Sequence, residues 1–204
     1  MSWLQTFSEW YEEIGHKLSD LEKIEEQFDP MSIPEKRPHT AELFLGRMQP
    51  IHLGHIKIIK KMKNPIVVLV KGKKSSADKD RNPLSAEEQI RLLKKVFPKI
   101  RIIVAPTGYL PDIFSDLREN SGTEVVKVYS GADRISGYKR QIDSINKKLP
   151  SRRQFDVQFE ETPRFTSATK VREAIRSDNE EEFRKLMPKE LWDEFEHLQG
   201  ELTK

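Results

Sequence analysis

The sequence predicts an α/β fold: a parallel sheet of about five strands flanked by helices, with an N-terminal amphipathic helix and a C-terminal helical end. Three observations carry this. Five short apolar runs, at 43–45, 65–70, 100–105, 124–129 and 155–159, alternate with longer segments of helical periodicity. The run at 65–70 is continuously apolar, as a strand buried on both faces requires. Glycines stand just beyond three of the runs, at Gly46, Gly72 and Gly131, where a strand yields to a loop or helix.

A chain of 204 residues that is 36% apolar suits one domain plus an appendage, expected to divide into 1–38 and 39–204. No apolar run approaches the roughly 20 residues of a membrane span, and the N-terminus lacks the basic-then-apolar order of a signal peptide. A cytoplasmic setting is the expectation. Cysteine is absent, which excludes a disulfide framework, a thiolate nucleophile and cysteine-bound zinc. The net charge of +3 is unevenly spread: residues 1–38 carry nine Asp/Glu against four Lys/Arg, so residues 39–204 carry +8. The basic part suits a polyanion. Aromatics make up only 8% and lie in the predicted cores, which speaks against a nucleic-acid stacking platform.

In chain order, Leu4, Phe7, Tyr11, Ile14, Leu18 and Leu21 recur in steps of three and four, the seam of an amphipathic helix. It packs either onto its own domain or onto a second copy, making a homo-oligomer. Pro30, Pro34 and Pro38 mark a linker. After the first strand at 43–45 comes Gly46-Arg47-Met48-Gln49-Pro50-Ile51-His52-Leu53-Gly54-His55, then a helix over 56–62. Pro50 cannot donate to a sheet ladder and Gly54 permits close backbone approach, so His52 and His55 sit at a strand-to-helix turn. A helix start offers unpaired N–H groups and partial positive charge, and two imidazoles add donors for phosphate oxygens. Two surface histidines in a plain βα loop are the alternative.

The second strand leads into a cationic loop containing Lys73, Lys74, Ser75, Ser76 and Arg81, at the end of the sheet where open α/β folds bind ligands. Ser85 caps the next helix, which buries Leu92 and Leu93. A third strand, a helix over 110–120 closed by Gly122, and a fourth strand follow. The fourth opens into Gly131-Ala132-Asp133, then a basic helix over 135–148 and a fifth strand. Thr166-Ser167-Ala168-Thr169-Lys170-Val171-Arg172 begins a helix over 170–176. There hydroxyls and free N–H groups can take outer phosphates, and Lys170 and Arg172 supply charge. Helices over 179–186 and 189–198, broken at Pro188, end the chain.

Residues 46–55 resemble the Gly-Arg-Phe-Gln-Pro-x-His-x-Gly-His signature of the His-x-Gly-His nucleotidyltransferase superfamily, most of all its nicotinamide-nucleotide adenylyltransferases and related tailed-phage enzymes. Met48 stands in place of the aromatic, and a flexible thioether fills similar volume. Residues 166–172 resemble the superfamily's Ile-Ser-Ser-Thr-x-x-Arg motif, with Ala168 for the second Ser. The loop ending Asn82-Pro83-Leu84 and the Gly131–Asp133 segment are similar to family segments too, and the likeness runs in motif order over 42–198. It implies a Rossmann-like sheet and transfer of a nucleoside monophosphate, AMP from ATP, onto a phosphorylated acceptor such as nicotinamide mononucleotide. Magnesium would arrive with the triphosphate, and the protein itself would bind no metal. His52 and His55 would serve the α-phosphate. Arg172, Lys170, Ser167 and Thr169 would hold the outer phosphates, Gly46, Arg47, Met48, Gln49, Pro50 and Gly54 the nucleotide, and Gly131 and Asp133 the nucleoside. The loop over 73–81 would cover the complex. A cytidylyltransferase with another acceptor, or a virion scaffold that retains a transferase-like domain, are the alternatives.

Overall fold

A computed structural model describes residues 39–72, 78–163 and 166–203. The expected N-terminal helix, its linker, the division at residue 38 and the loop residues Lys73, Lys74, Ser75 and Ser76 lie outside these. The described elements are β1 (His39–Gly46), α1 (Leu53–Ile59), β2 (Pro65–Val70), α2 (Ala86–Val96), β3 (Arg101–Ala105), α3 (Leu110–Ser121), β4 (Thr123–Ser130) and α4 (Ala132–Asn146). A 3₁₀ turn (Ser151–Arg153), β5 (Gln158–Glu161), α5 (Ala168–Arg176), α6 (Glu180–Leu186), a second 3₁₀ segment (Lys189–Glu194) and α7 (Phe195–Thr203) complete the chain. All five strands are parallel, in the order β3-β2-β1-β4-β5. This is the expected Rossmann-like sheet. Among the described residues no helix is long and apolar enough to cross a membrane.

The order follows from the crossovers. From β1 the chain winds one way to β2 and β3, then returns to lay β4 on the other side of β1, so the topology reverses beside β1. Loops leaving the carboxyl ends of β1 and β4 diverge there and open a crevice. Period-2 alternation divides the core. Phe44, Val67 and Leu69 face one layer with α1, α2, α5 and α6, whereas Leu43, Leu45, Ile66 and Val68 face the other with α3 and α4. Between the Ala41↔Val125 and Glu42↔Lys127 pairs the register shifts by one residue, leaving Val126 as the extra, exposed residue on β4. Beyond the shift, Val128 joins one layer and Tyr129 the other. The Tyr129 hydroxyl donates to buried Glu42 at 3.0 Å, and burial, then that carboxylate, pushes the phenol up to about 12.

Several boundaries differ from those expected. The fifth strand is not 155–159 but Gln158–Glu161, an exposed edge strand. Phe155 instead packs edge-on against Phe114 (centroids 5.3 Å apart), with the Arg118 guanidinium 4.5 Å from its centroid and Asn146 pairing with its backbone N–H and C=O. An apolar residue at a strand-like spacing thus belongs to a tether. The first, fourth and fifth helices begin at Leu53, Ala132 and Ala168 rather than at 56, 135 and 170; His52 and Ser167 cap the first and fifth by their side chains, and the fourth starts directly after Gly131. The last helix divides into the 3₁₀ segment after Pro188 and α7. Ser85 caps α2 and left-handed Gly122 (φ 58°) closes α3, as expected.

Candidate functional site

The site begins where β1 ends. Arg47 is exposed; Met48 turns back into the core with φ 44°, a left-handed conformation that costs a residue with a Cβ roughly 1 kcal/mol. Gln89 of α2, 1% exposed, offsets that cost by donating from Nε2 to the carbonyls of both Arg47 and Met48. Gln49 is clasped in the same way: its amide accepts from Leu84 N–H at 2.8 Å and donates to Leu84 C=O at 3.0 Å. Lys71 Nζ donates to that same carbonyl at 2.7 Å. One N–H and one lone pair of the Gln49 amide are thus engaged in fixing the loop, while the residue still lines the cleft. Met48 likewise contributes a buried floor, and Pro50 is buried away from the lining.

His52 caps α1. Its Nδ1 accepts the Gly54 N–H at 3.1 Å, and His55 Nδ1 accepts the His52 N–H at 3.3 Å, a reciprocal capping box made of two imidazoles. Their rings stack with centroids 3.7 Å apart and 20° between planes. A side chain at position 54 would meet His52 Cε1 at 2.9 Å, so glycine is what lets the ring fold back over its own helix start. With both Nδ1 atoms accepting, the hydrogen bonds assign each ring's proton to Nε2. Neither Nε2 has a partner among the described residues, and both rings line the cleft. Burial lowers the His52 pKa to about 4; burial, then the neighbouring His52, lowers that of His55 well below its ordinary value. At neutral pH both are uncharged donors.

The opposite wall is the start of α5. Ser167 caps it by accepting the Lys170 N–H at 3.3 Å. Thr169, Arg172 and Arg176 follow at helical spacing and share one face. Arg172 is 8% exposed; it donates to the Gln49 carbonyl at 2.6 Å and to Thr169 Oγ1 at 3.3 Å, leaving three of five N–H donors. Burial, then the charges of Arg176 and Arg47, lowers its pKa. Lys170 is a correction: it is exposed and does not line the cleft, because two residues along a helix lie about 200° round the axis from Arg172.

These walls enclose a cleft of about 730 Å³ that holds His52, His55, Gly46, Arg47, Met48, Gln49, Gly54, Arg81, Gly131, Ser167, Thr169 and Arg172. A cavity of about 660 Å³ shares Leu45, Gly46, Arg47 and Gly131 with it and contains Asp133 and Tyr138. Asp133 thus sits in the second chamber. Two adjoining chambers at the switch point suit two ligands. A further hollow of about 780 Å³ lies at the amino ends of β1 to β3 and contains no motif residue. Beyond the site residues named from the sequence, the cleft contains Thr166 at the start of the second motif, Asp80 of the cationic loop, Thr162 and Arg176. Of these only Arg176, one turn beyond Arg172, had a signal in the helical periodicity. The Thr166 hydroxyl is buried without a partner among the described residues.

Asp80 is the one carboxylate among the described residues lining the cleft. Glu88, Glu194 and His197 bring ligand atoms within 4.8 Å of one another elsewhere, where α2 meets the C-terminal segment. There Arg91 and Lys95 already neutralise the carboxylates, at 2.5 Å and 2.6 Å from Glu194. That cluster is an ion-pair network.

The family model described as cytidylyltransferase-like matches residues 43–174, well over half the chain, including both motifs. Nicotinamide-nucleotide adenylyltransferases from two strains of Halobacterium salinarum are 32% identical over 66 residues, 31% of this chain and 37% of theirs. The match therefore spans little more than a third of those relatives' length. Among solved structures the chain is similar to Plasmodium falciparum nicotinic acid mononucleotide adenylyltransferase complexed with NaAD (12% identity, TM-score 0.50, 77% of this chain and 94% of that one). It is also similar to Thermotoga maritima TmcAL bound with alpha-thio ATP (12% identity, TM-score 0.51, 80% and 56%). At that identity the structures speak for the fold alone. The fold, the paired motifs and the extent of the family match together place the chain: it belongs to the cytidylyltransferase-like family of nucleotidyltransferases.

Proposed function

We propose that the chain is an enzyme of the adenylyltransferase kind, which transfers AMP from ATP to a phosphorylated acceptor, nicotinamide mononucleotide, and releases pyrophosphate. The carrying observation is the stacked pair His52 and His55, whose Nδ1 atoms are engaged by backbone N–H groups so that both Nε2–H donors serve one cleft. The names of the Halobacterium relatives support the choice of acceptor.

Among the described residues no lining side chain is a nucleophile held beside a base, which supports the acceptor's phosphate as the nucleophile. It attacks the α-phosphorus in line; the new phosphorus–oxygen bond forms as the bond to the β-phosphate bridge breaks and pyrophosphate leaves. Neutral imidazoles donate to the α-phosphate as negative charge gathers on it, and their rigid stacking avoids reorganisation. Arg172, with the N–H groups at the start of α5, takes the departing phosphates. Magnesium enters with the triphosphate as part of the substrate and offsets its charge. The second chamber, with Asp133 and Tyr138, takes the acceptor or the nucleoside.

The test is pyrophosphate release from ATP or CTP with magnesium across a panel of phosphorylated acceptors. Dinucleotide formed from ATP and nicotinamide mononucleotide is the expected result. Turnover with CTP alone replaces it with cytidylyl transfer, and no turnover with any pair leaves the scaffold reading.

A further inference from the structure

Four guanidinium groups, of Arg47, Arg81, Arg172 and Arg176, belong to the lining of the cleft, and Arg81 is paired with Asp78 at 3.7 Å. They are not equivalent. Arg172 is buried and has committed two donors to Gln49 and Thr169, so it is as much a tie between the walls as a ligand group. Arg47 has no side-chain partner among the described residues. Arg176 is half-exposed at the end of α5, and its one ion pair among the described residues is at 3.8 Å to Asp80, whose side chain is 96% exposed. A carboxylate so solvated gains little from one cation at that distance. Four like charges around a cleft with a single lining carboxylate among the described residues repel one another until an anion enters. In the protein alone Asp80 supplies a partial counter-charge to Arg176, which lies one turn beyond the motif.

Resting on the reading of the cleft as a triphosphate site, we propose that Arg176 is a further outer-phosphate-binding residue, and that Asp80 is its built-in competitor, exchanged for a phosphate oxygen when triphosphate binds. The arrangement follows from helical spacing: position 176 lies one turn beyond 172 on the face that also carries Thr169, so it extends the anion track outward from the buried arginine. Asp80 then sets the affinity of the site by occupying Arg176 between binding events. Its cost to binding is that of a weak, exposed ion pair, whereas the phosphate that replaces it carries more charge and more acceptors.

The experiment is calorimetric titration of the full chain with ATP–magnesium, inorganic tripolyphosphate and AMP, for wild type, Asp80→Asn, Arg176→Ala and the double variant, each checked by thermal melting. Arg176→Ala should weaken ATP and tripolyphosphate by about 10-fold, the loss of a charge-assisted bond, and leave AMP within about twofold. Asp80→Asn should tighten both polyphosphates by about two- to fivefold, and do nothing once Arg176 is gone. Unchanged polyphosphate binding in Arg176→Ala, or an Asp80→Asn effect that survives in the double variant, overturns the proposal. Wild type that binds neither polyphosphate overturns it as well. Because the readout is binding, a protein that shows this pattern yet makes no product sinks the transfer reading while the assignment of Arg176 stands.

Discussion

The Arg172 guanidinium donates to the carbonyl of Gln49 at 2.6 Å, across 123 residues of sequence. This bond joins the two motifs directly, so the histidine loop and the start of α5 hold their spacing as one unit. A lysine ammonium that bonded both Gln49 and Thr169 would keep one donor where arginine keeps three, without the planar fork. Arg172→Lys is therefore expected to lower turnover by roughly 100-fold, the scale of one lost preorganised donor. Steady-state pyrophosphate release measures it, and a variant within a few-fold of wild type would remove Arg172 from the chemistry.

His55 lines the cleft and also completes the helix cap. His55→Ala should cost roughly 100-fold in turnover and, because its Nδ1 accepts the His52 N–H, also about 1 kcal/mol of stability. Glutamine at this position can restore the capping box without the imidazole. His55→Gln should then melt near wild type yet stay inactive. Recovery of turnover along with stability would show that the ring matters only as a cap.

The histidine pair predicts an acid-side loss of stability. The His52 pKa falls from 6.5 to about 4 on folding, so between these values the unfolded chain binds more protons and stability drops as pH falls. The contribution is complete above pH 6.5. Asparagine is a good N-cap without a titrating group, so His52→Asn should flatten the melting temperature between pH 7 and 5. Glu194, whose carboxyl is held down to about 2 by Arg91, does not titrate in that window. Parallel melting curves for the two proteins would refute the assignment.

Away from the cleft, Glu194 is 5% exposed and ties α2 to the C-terminal segment through Arg91 and Lys95. Glu194→Gln should lower stability by about 2 kcal/mol, since both cations lose a charged acceptor. Turnover should hold, and zinc or a chelator should leave the melting temperature of wild type unchanged. A metal-dependent melt would mean that Glu88, Glu194 and His197 form a real cation site.

Residues 1–38 carry an apolar seam and a charge opposite to that of the rest. A symmetric contact through such a seam is self-complementary, so the segment is expected to promote assembly. A chain starting at His39 should be smaller by light scattering and still bind ATP. Equal assembly of both forms would remove that role, and loss of ATP binding on truncation would make the segment part of the catalytic fold.

By itself the sequence determined the layers and the two motif segments that line the candidate site. Alternation of apolar runs with amphipathic segments identified five strands, and Gly54, His52 and Ser167 located two helix starts, because periodicity and capping are local. Roles that depend on distant partners were not legible. That Gln49 clasps Leu84, that Gln89 holds left-handed Met48, and that Arg172 ties Gln49 to α5 are contacts across 35 to 123 residues, which no spacing encodes. Spacing puts Arg172 and Arg176 on one face of the helix and Lys170 on the other, but it does not say which face meets the cleft. The tertiary structure decided these because a buried donor or acceptor must find a partner wherever the fold places one, and the direction in which α5 packs selects which of its charges reach the site.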